Sequence, residues 1–268
     1  MNRKVLLASS VAIAACAALA FGLLAGDPEH ANAETAASTA NTQAIPAKVD
    51  RAEVEGIIRD YLLNNPEVLL EVQEALETKQ QEAQRLASLG VIADARDDIF
   101  NSAFDGVVGN PQGKVTIVEF YDYNCGFCKR AMDDMWAVTK HDPDVRFVLK
   151  EFPILGPDSQ KASVVSMAFH KMMPEKYGEF HGALLGGQGR ATEEAAVKVA
   201  LSLGADEAKL REGMKDPAIL EAFSKTYELA NKLAITGTPS YVVGNEVVFG
   251  ALGQEVLSQK IAEAKEAL

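Results

Sequence analysis

Val54, Ile57, Ile58, Tyr61 and Leu62 fall at i, i+3, i+4, i+7 and i+8, one apolar face of an amphipathic helix beginning near Asp50. Asn64-Asn65-Pro66 stops that helix and caps the next, with proline in the first turn where it is tolerated. The second helix is predicted from Pro66 to Leu89. Its Leu69, Val72, Leu76, Ala83 and Leu86 trace a near-heptad seam, with Lys79 at the missing apolar position. This stripe either packs on its own domain or pairs with other copies of the chain, because two tethered helices bury little apolar surface alone. A linking helix over 91–104 follows, and Gly106, Gly109, Asn110, Pro111 and Gly113 read as turn residues.

Val115 to Tyr121 is a short, mostly apolar and β-branched run, consistent with a buried strand. Residues 131–140 read as helix, His141-Asp142-Pro143-Asp144 as a turn and 145–152 as a second strand, which makes a β-α-β unit. From 159 to 233 the pattern is helical, broken at Met173-Pro174, at Gly186-Gly187-Gln188-Gly189 and at Asp216-Pro217. Two strands then flank a Gly244-Asn245 turn, and 254–268 close the chain as an amphipathic helix.

The N-terminus follows neither rhythm. Arg3 and Lys4 precede a nearly unbroken apolar run from Val5 to Ala25, and Ala31-Asn32-Ala33 is a small-x-small cleavage site. Residues 1–33 therefore read as a secretory signal peptide. If retained, the run is long enough to anchor the chain in a membrane. Ile13-Ala14-Ala15-Cys16 also resembles a bacterial lipobox, against which stands the apolar sequence after Cys16. Residues 34–48 are Ala, Thr, Ser, Asn and Gln with few large apolar side chains, and read as a flexible tether.

The 268 residues are 48% hydrophobic and 24% charged, enough for one good core, and the net charge of −12 argues against nucleic acid as a partner. Of three cysteines, Cys16 leaves with the signal, so only Cys125 and Cys128 meet the oxidising compartment. A C-x-x-C at the start of a helix puts its first sulfur among unpaired N–H groups, which favour a thiolate. Lys129 and Arg130 add positive charge there, partly offset by Asp133 and Asp134.

A zinc site needs about four ligands, and His141, His170 and His181 show no ligand spacing. A structural disulfide over so short a loop would constrain little chain entropy. Copper(I) capture by the reduced pair stays open, with Met132 and Met135 close behind, although methionines at helical spacing also serve as core filler. The Gly186–Gly189 stretch lacks the Lys-Ser/Thr of a phosphate loop, so no organic cofactor is expected.

Strand, C-x-x-C, helix, strand, helical stretch and then Gly237-Thr238-Pro239 before a hairpin resemble the DsbA-like branch of the thioredoxin superfamily. The resemblance implies an α/β thioredoxin-like fold over 106–268, interrupted by a helical insertion at about 156–233 and preceded by a helical stalk over 49–105. It implies Cys125 as the exposed nucleophile, Cys128 as the buried resolving thiol, Pro239 as a cis-proline beside them, and Thr238 as the residue whose backbone pairs with a bound peptide. Glu119 matches the family's buried acidic position, where a raised pKa suits proton exchange with Cys128; otherwise it lies at a solvated strand edge. Lys150 matches the family's basic position; otherwise it is a surface lysine.

Residues 54–87 resemble the stalk of ScsC-like proteins, a DsbA-like group that includes trimeric disulfide isomerases, which implies a homo-oligomer with a trimer among its stoichiometries. Gly126-Phe127 carries no imidazole, unlike strongly oxidising DsbA, and is closer to the Gly-Tyr pair of isomerases; Thr238 points the same way. The expectation is a periplasmic thiol-disulfide oxidoreductase acting on cysteine-containing secreted proteins and maintained by an unidentified membrane redox partner. Isomerase is the leading activity, and DsbA-type oxidase is the alternative.

Overall fold

The computed structural model describes residues 50–267. The predicted signal segment with Cys16, the tether and Leu268 lie outside the described residues. The chain divides into two compact units between Asp60 and Tyr61, and α1 (Arg51–Asn64) crosses the division. In the first unit Ile57 and Ile58 are more than half exposed, and in the second so are Tyr61 and Leu63. Among the described residues no helix is long and apolar enough to cross a membrane.

α2 (Val68–Asp94) leaves Leu69, Val72, Leu76 and Leu86 more than half exposed and buries only its far end, through Ser88 and Ile92. It passes straight through Gly90, where the sequence suggested a boundary. Glycine inside a helix costs about 1 kcal/mol, whereas burying Ile92 contributes roughly 1.5–3 kcal/mol. The helix therefore continues to Ala95, whose φ of −104° and ψ of 22° break it. What remains of the predicted linking helix is the short α3 (Arg96–Phe100).

Two of the glycines read as turn residues bound a strand instead. β1 (Gly106–Gly109) runs antiparallel to β3 (Val145–Glu151), with Gly106 opposite Leu149 and Gly109 opposite Arg146. Gly106 is needed because a Cβ there would sit 1.8 Å from Cε1 of Tyr177, whose buried ring fills the space. β2 (Val115–Tyr121) lies at the centre, parallel to β3 and antiparallel to β4 (Ser240–Val243). With β5 (Glu246–Phe249) at the far edge, the sheet order is β1-β3-β2-β4-β5.

α4 (Gly126–His141) joins β2 to β3. Between β3 and β4 come α5 (Pro157–Met172), α6 (Tyr177–Leu185), α7 (Glu193–Ser202), α8 (Glu207–Gly213) and α9 (Pro217–Lys232). α10 (Gly253–Glu266) follows the hairpin.

Both faces of β2 and β3 are buried. Ile117, Tyr121, Phe147 and Leu149 pack on one side with Met135, Val138, Phe169, Phe180 and Ile261. On the other, Val118, Phe120, Val148 and Phe152 meet Ile92, Ile99, Leu229 and Leu233. Side chains alternate along a strand, so Glu119 belongs to the first face and Lys150 to the second.

Candidate active site

Cys125 caps α4. With φ −81° and ψ 116° it stays outside the helix, and its Sγ accepts the N–H of Cys128 at 3.4 Å, as an oxygen does in an ordinary N-cap. Its own N–H donates to the Asp122 carbonyl at 3.0 Å. The β2–β4 pairing sets Phe120 opposite Ser240, which carries the segment before β4 past the end of β2. The carbonyl oxygen of Thr238 consequently lies 3.2 Å from Sγ, and a cis peptide bond leads from Thr238 into Pro239.

Both cysteines are free thiols. Cys128 is fully buried and Cys125 is 6% exposed, so the nucleophile that the resemblance implies to be exposed is only the less covered of the two. Gly126 and Phe127 between them are exposed, with the Arg130 guanidinium 4.3 Å from the centroid of the Phe127 ring.

The Cys125 thiol is pulled from its ordinary value down to about 5, first by its hydrogen bond with the Cys128 thiol. The Thr238 side chain and the N–H groups of Cys128 and Phe127 lower it further, against the cost of burial. Lys129 and Arg130 serve other contacts, Lys129 donating to the Gly187 carbonyl and Arg130 covering Phe127. Burial, reinforced by the bond to Cys125 and by Glu119, holds the Cys128 thiol far above the ordinary thiol range. At neutral pH one sulfur is thus an anion while its neighbour keeps its proton, the asymmetry that thiol-disulfide exchange uses.

Glu119 is buried on the dithiol's side of the sheet, its carboxyl pushed up to about 8 by burial and then by Cys125. Lys150 is not brought there. Its ammonium pairs with Asp105 at 2.5 Å and donates to the Asp98 carbonyl at 2.5 Å, both beyond the opposite face. The charged β3 residue that does share the face of Glu119 is Glu151, opposite Tyr121 and pushed up to about 8 by burial. Its Oε2 and the Nδ1 of His181 have no hydrogen-bond partner among the described residues. His181 packs edge-on against the Tyr121 ring, 4.8 Å away.

Met135 is buried in the core and Met132 packs partly against it. Among the described residues no three of His, Cys, Asp or Glu are grouped to hold a metal ion.

The two buried carboxyls make stability depend on pH. Each has a folded-state pKa raised from 4.5 to about 8, so the folded chain holds more protons over that window and loses stability as pH rises through it. His181, held neutral with its pKa lowered to about 3, acts in the opposite sense only below 6.5. Urea unfolding of the oxidised chain should therefore show stability falling between pH 6.5 and 8, by up to about 1.4 kcal/mol per pH unit for each carboxyl. Glu119→Gln and Glu151→Gln should each flatten the slope. In the reduced chain the fall is shallower, because Cys125 contributes stability that grows as pH rises from 5 toward 9. Equal slopes in wild type and both variants would contradict protonated carboxyls in the fold.

Two residues of the site escaped the sequence reading. Asp122 is fully buried and accepts from the N–H of Asn124 at 2.7 Å and of Leu155 at 2.9 Å. Asn124 bonds to Ser159 and Ala191. Asx residues favour such side-chain turns, and their place between a strand and a C-x-x-C was the available signal.

The model of the DSBA-like thioredoxin domain matches residues 116–262, and that of the copper resistance protein ScsC N-terminal domain matches residues 50–83. Disulfide bond formation protein D of Bacillus subtilis is 28% identical over 152 residues, covering 53% of this chain and 68% of that protein. A thioredoxin-like oxidoreductase from Silicibacter pomeroyi DSS-3 superposes with a TM-score of 0.61 at 39% identity, covering 65% of this chain and 99% of the other. A linker-deleted, singly substituted Proteus mirabilis ScsC gives a TM-score of 0.64 at 26% identity, covering 83% of this chain and 100% of its own. With its mixed sheet, its dithiol at the start of α4 and a family match over more than half its length, the chain belongs to the DSBA-like thioredoxin family of thiol-disulfide oxidoreductases.

Proposed function

We propose that this chain is an exported, periplasmic disulfide isomerase of secreted proteins. The observation that carries this reading is the Cys125 thiolate held at the start of α4 beside a buried, protonated Cys128. Cys125 attacks one sulfur of a substrate disulfide, forming a mixed disulfide and releasing the other sulfur as a thiolate. A substrate thiolate then displaces Cys125, which completes isomerisation. Alternatively, once the mixed disulfide has removed the Cys125 anion that helps keep Glu119 protonated, Glu119 loses its proton and takes that of Cys128, which attacks Cys125, leaving the Cys125-Cys128 disulfide and a reduced substrate. Thr238 and Pro239 border the bound peptide, and the exposed Gly126 and Phe127 face it.

The exposed seam of α2 and the match to an ScsC N-terminal domain support a homo-oligomer, with a trimer as the proposed state. The basic and apolar N-terminal sequence supports export. A membrane redox partner, not identified by this chain, keeps Cys125 reduced. DsbA-type oxidation is the second reading. It is favoured by the depressed Cys125 pKa, since a stabilised thiolate makes the disulfide a stronger oxidant.

The deciding assay is reactivation of ribonuclease with scrambled disulfides by the reduced chain from Glu34 onward. Recovery is the expected result. No recovery, with the oxidised chain still oxidising a reduced substrate, would replace the isomerase reading by the oxidase one.

A further inference from the structure

The residues flanking the dithiol are tied to the helices between β3 and β4. The Tyr123 hydroxyl lies 2.8 Å from Ser166 Oγ in α5. Lys129 donates to the Gly187 carbonyl, and Gly186 packs so closely on α4 that a Cβ would come within 3.2 Å of Met132 Cε. Asn124, immediately before Cys125, makes the densest set. Its Nδ2 donates to the Ala191 carbonyl and to Ser159 Oγ, each at 3.0 Å, and its Oδ1 accepts the Ala191 N–H at 2.8 Å. The Asn124 amide thus pairs with both backbone groups of Ala191 as a strand residue would.

We infer that Asn124 is a positioning residue: by clamping the chain just ahead of Cys125 to Ala191 and Ser159, it holds Sγ in reach of the donors that stabilise its thiolate. This deepens the reading of Cys125 as the nucleophile and rests on it. Sγ depends on the Cys128 N–H at 3.4 Å, an ordinary length for a bond to sulfur, whose direction a rotation of Cys125 would spoil. Three hydrogen bonds one residue upstream restrict that rotation. The 186–191 segment, which contacts the chain on both sides of the dithiol, therefore sets how reactive the sulfur is.

The test is the pH dependence of Cys125 alkylation by iodoacetamide in wild type, Asn124→Ala and Asn124→Leu, with near-UV circular dichroism reporting the fold. Leucine keeps the heavy-atom count and branching of asparagine but forms no hydrogen bond, so it decides the matter if the alanine variant does not fold. Both variants should move the alkylation midpoint upward by about one pH unit, a tenfold smaller thiolate fraction below the midpoint. Ser159→Ala, which leaves the paired bonds to Ala191 intact, should move it by less than a third as much. A folded variant with an unshifted midpoint overturns the role of Asn124. If wild type itself lacks a low midpoint, the reading of Cys125 fails, whatever the variants do.

Discussion

Cys125→Ser chains should exchange no disulfides above the uncatalysed background, whereas Cys128→Ser chains should accumulate as mixed disulfides with their substrates. The difference follows from the two environments. With its pKa held down to about 5, Cys125 is predominantly thiolate at pH 7. A serine hydroxyl at the helix start has no comparable anionic form, so the attacking group is lost. Cys128 is buried and protonated, and it acts only after a mixed disulfide has formed on its neighbour. Without it the first step proceeds and the intramolecular escape does not. Non-reducing electrophoresis after mixing with a disulfide substrate reads both outcomes. Turnover retained by Cys125→Ser would end the dithiol mechanism, and Cys128→Ser protein that traps no more mixed disulfide than wild type would deny Cys128 the resolving role.

The second large effect is on stability. Lys150→Ala should cost about 3–5 kcal/mol at pH 7, because it strands Asp105 in the interior without its partner. Burial already pushes the Asp105 carboxyl up to about 6 despite the ammonium 2.5 Å away. Replacing both, as Lys150→Met with Asp105→Leu, should recover most of that loss, since an apolar pair of similar volume needs no charge partner. Urea unfolding measures both. The pH profile of Cys125 alkylation should stay as in wild type, because Lys150 faces away from the dithiol. A shifted profile would return Lys150 to the chemistry that the sequence assigned to it.

That assignment shows where the sequence stops being readable. Along a half-exposed strand the alternation of polar and apolar residues reports which way each side chain points. β2 and β3 are buried on both faces, so their sequences are near-continuous apolar runs in which orientation leaves no trace. Lys150 and Glu151 are adjacent and each could be the residue near Glu119; only the pairing register, with Tyr121 opposite Glu151, decides.

Elements and chemistry carried by local pattern were legible: the amphipathic helices, the buried strands and the C-x-x-C at a helix start. What depended on distant partners was not. Gly106 looks like a turn residue until Tyr177 is packed over it, and Asn124 looks like loop until Ala191 arrives beside it. The source of the low Cys125 pKa was only partly visible, since the charges of Lys129 and Arg130 are plain in the sequence but their directions are not.

The two buried faces of β2 and β3 also make the sheet a partition one backbone thick. On one side sits chemistry that needs groups out of their usual charge state, an anionic sulfur beside neutral carboxylic acids. On the other side a lysine and an aspartate are held as a pair. The intervening layer of hydrogen-bonded peptide groups keeps that ammonium away from the sulfur. Were it on the same side, its charge would favour the ionised forms of Glu119 and Glu151.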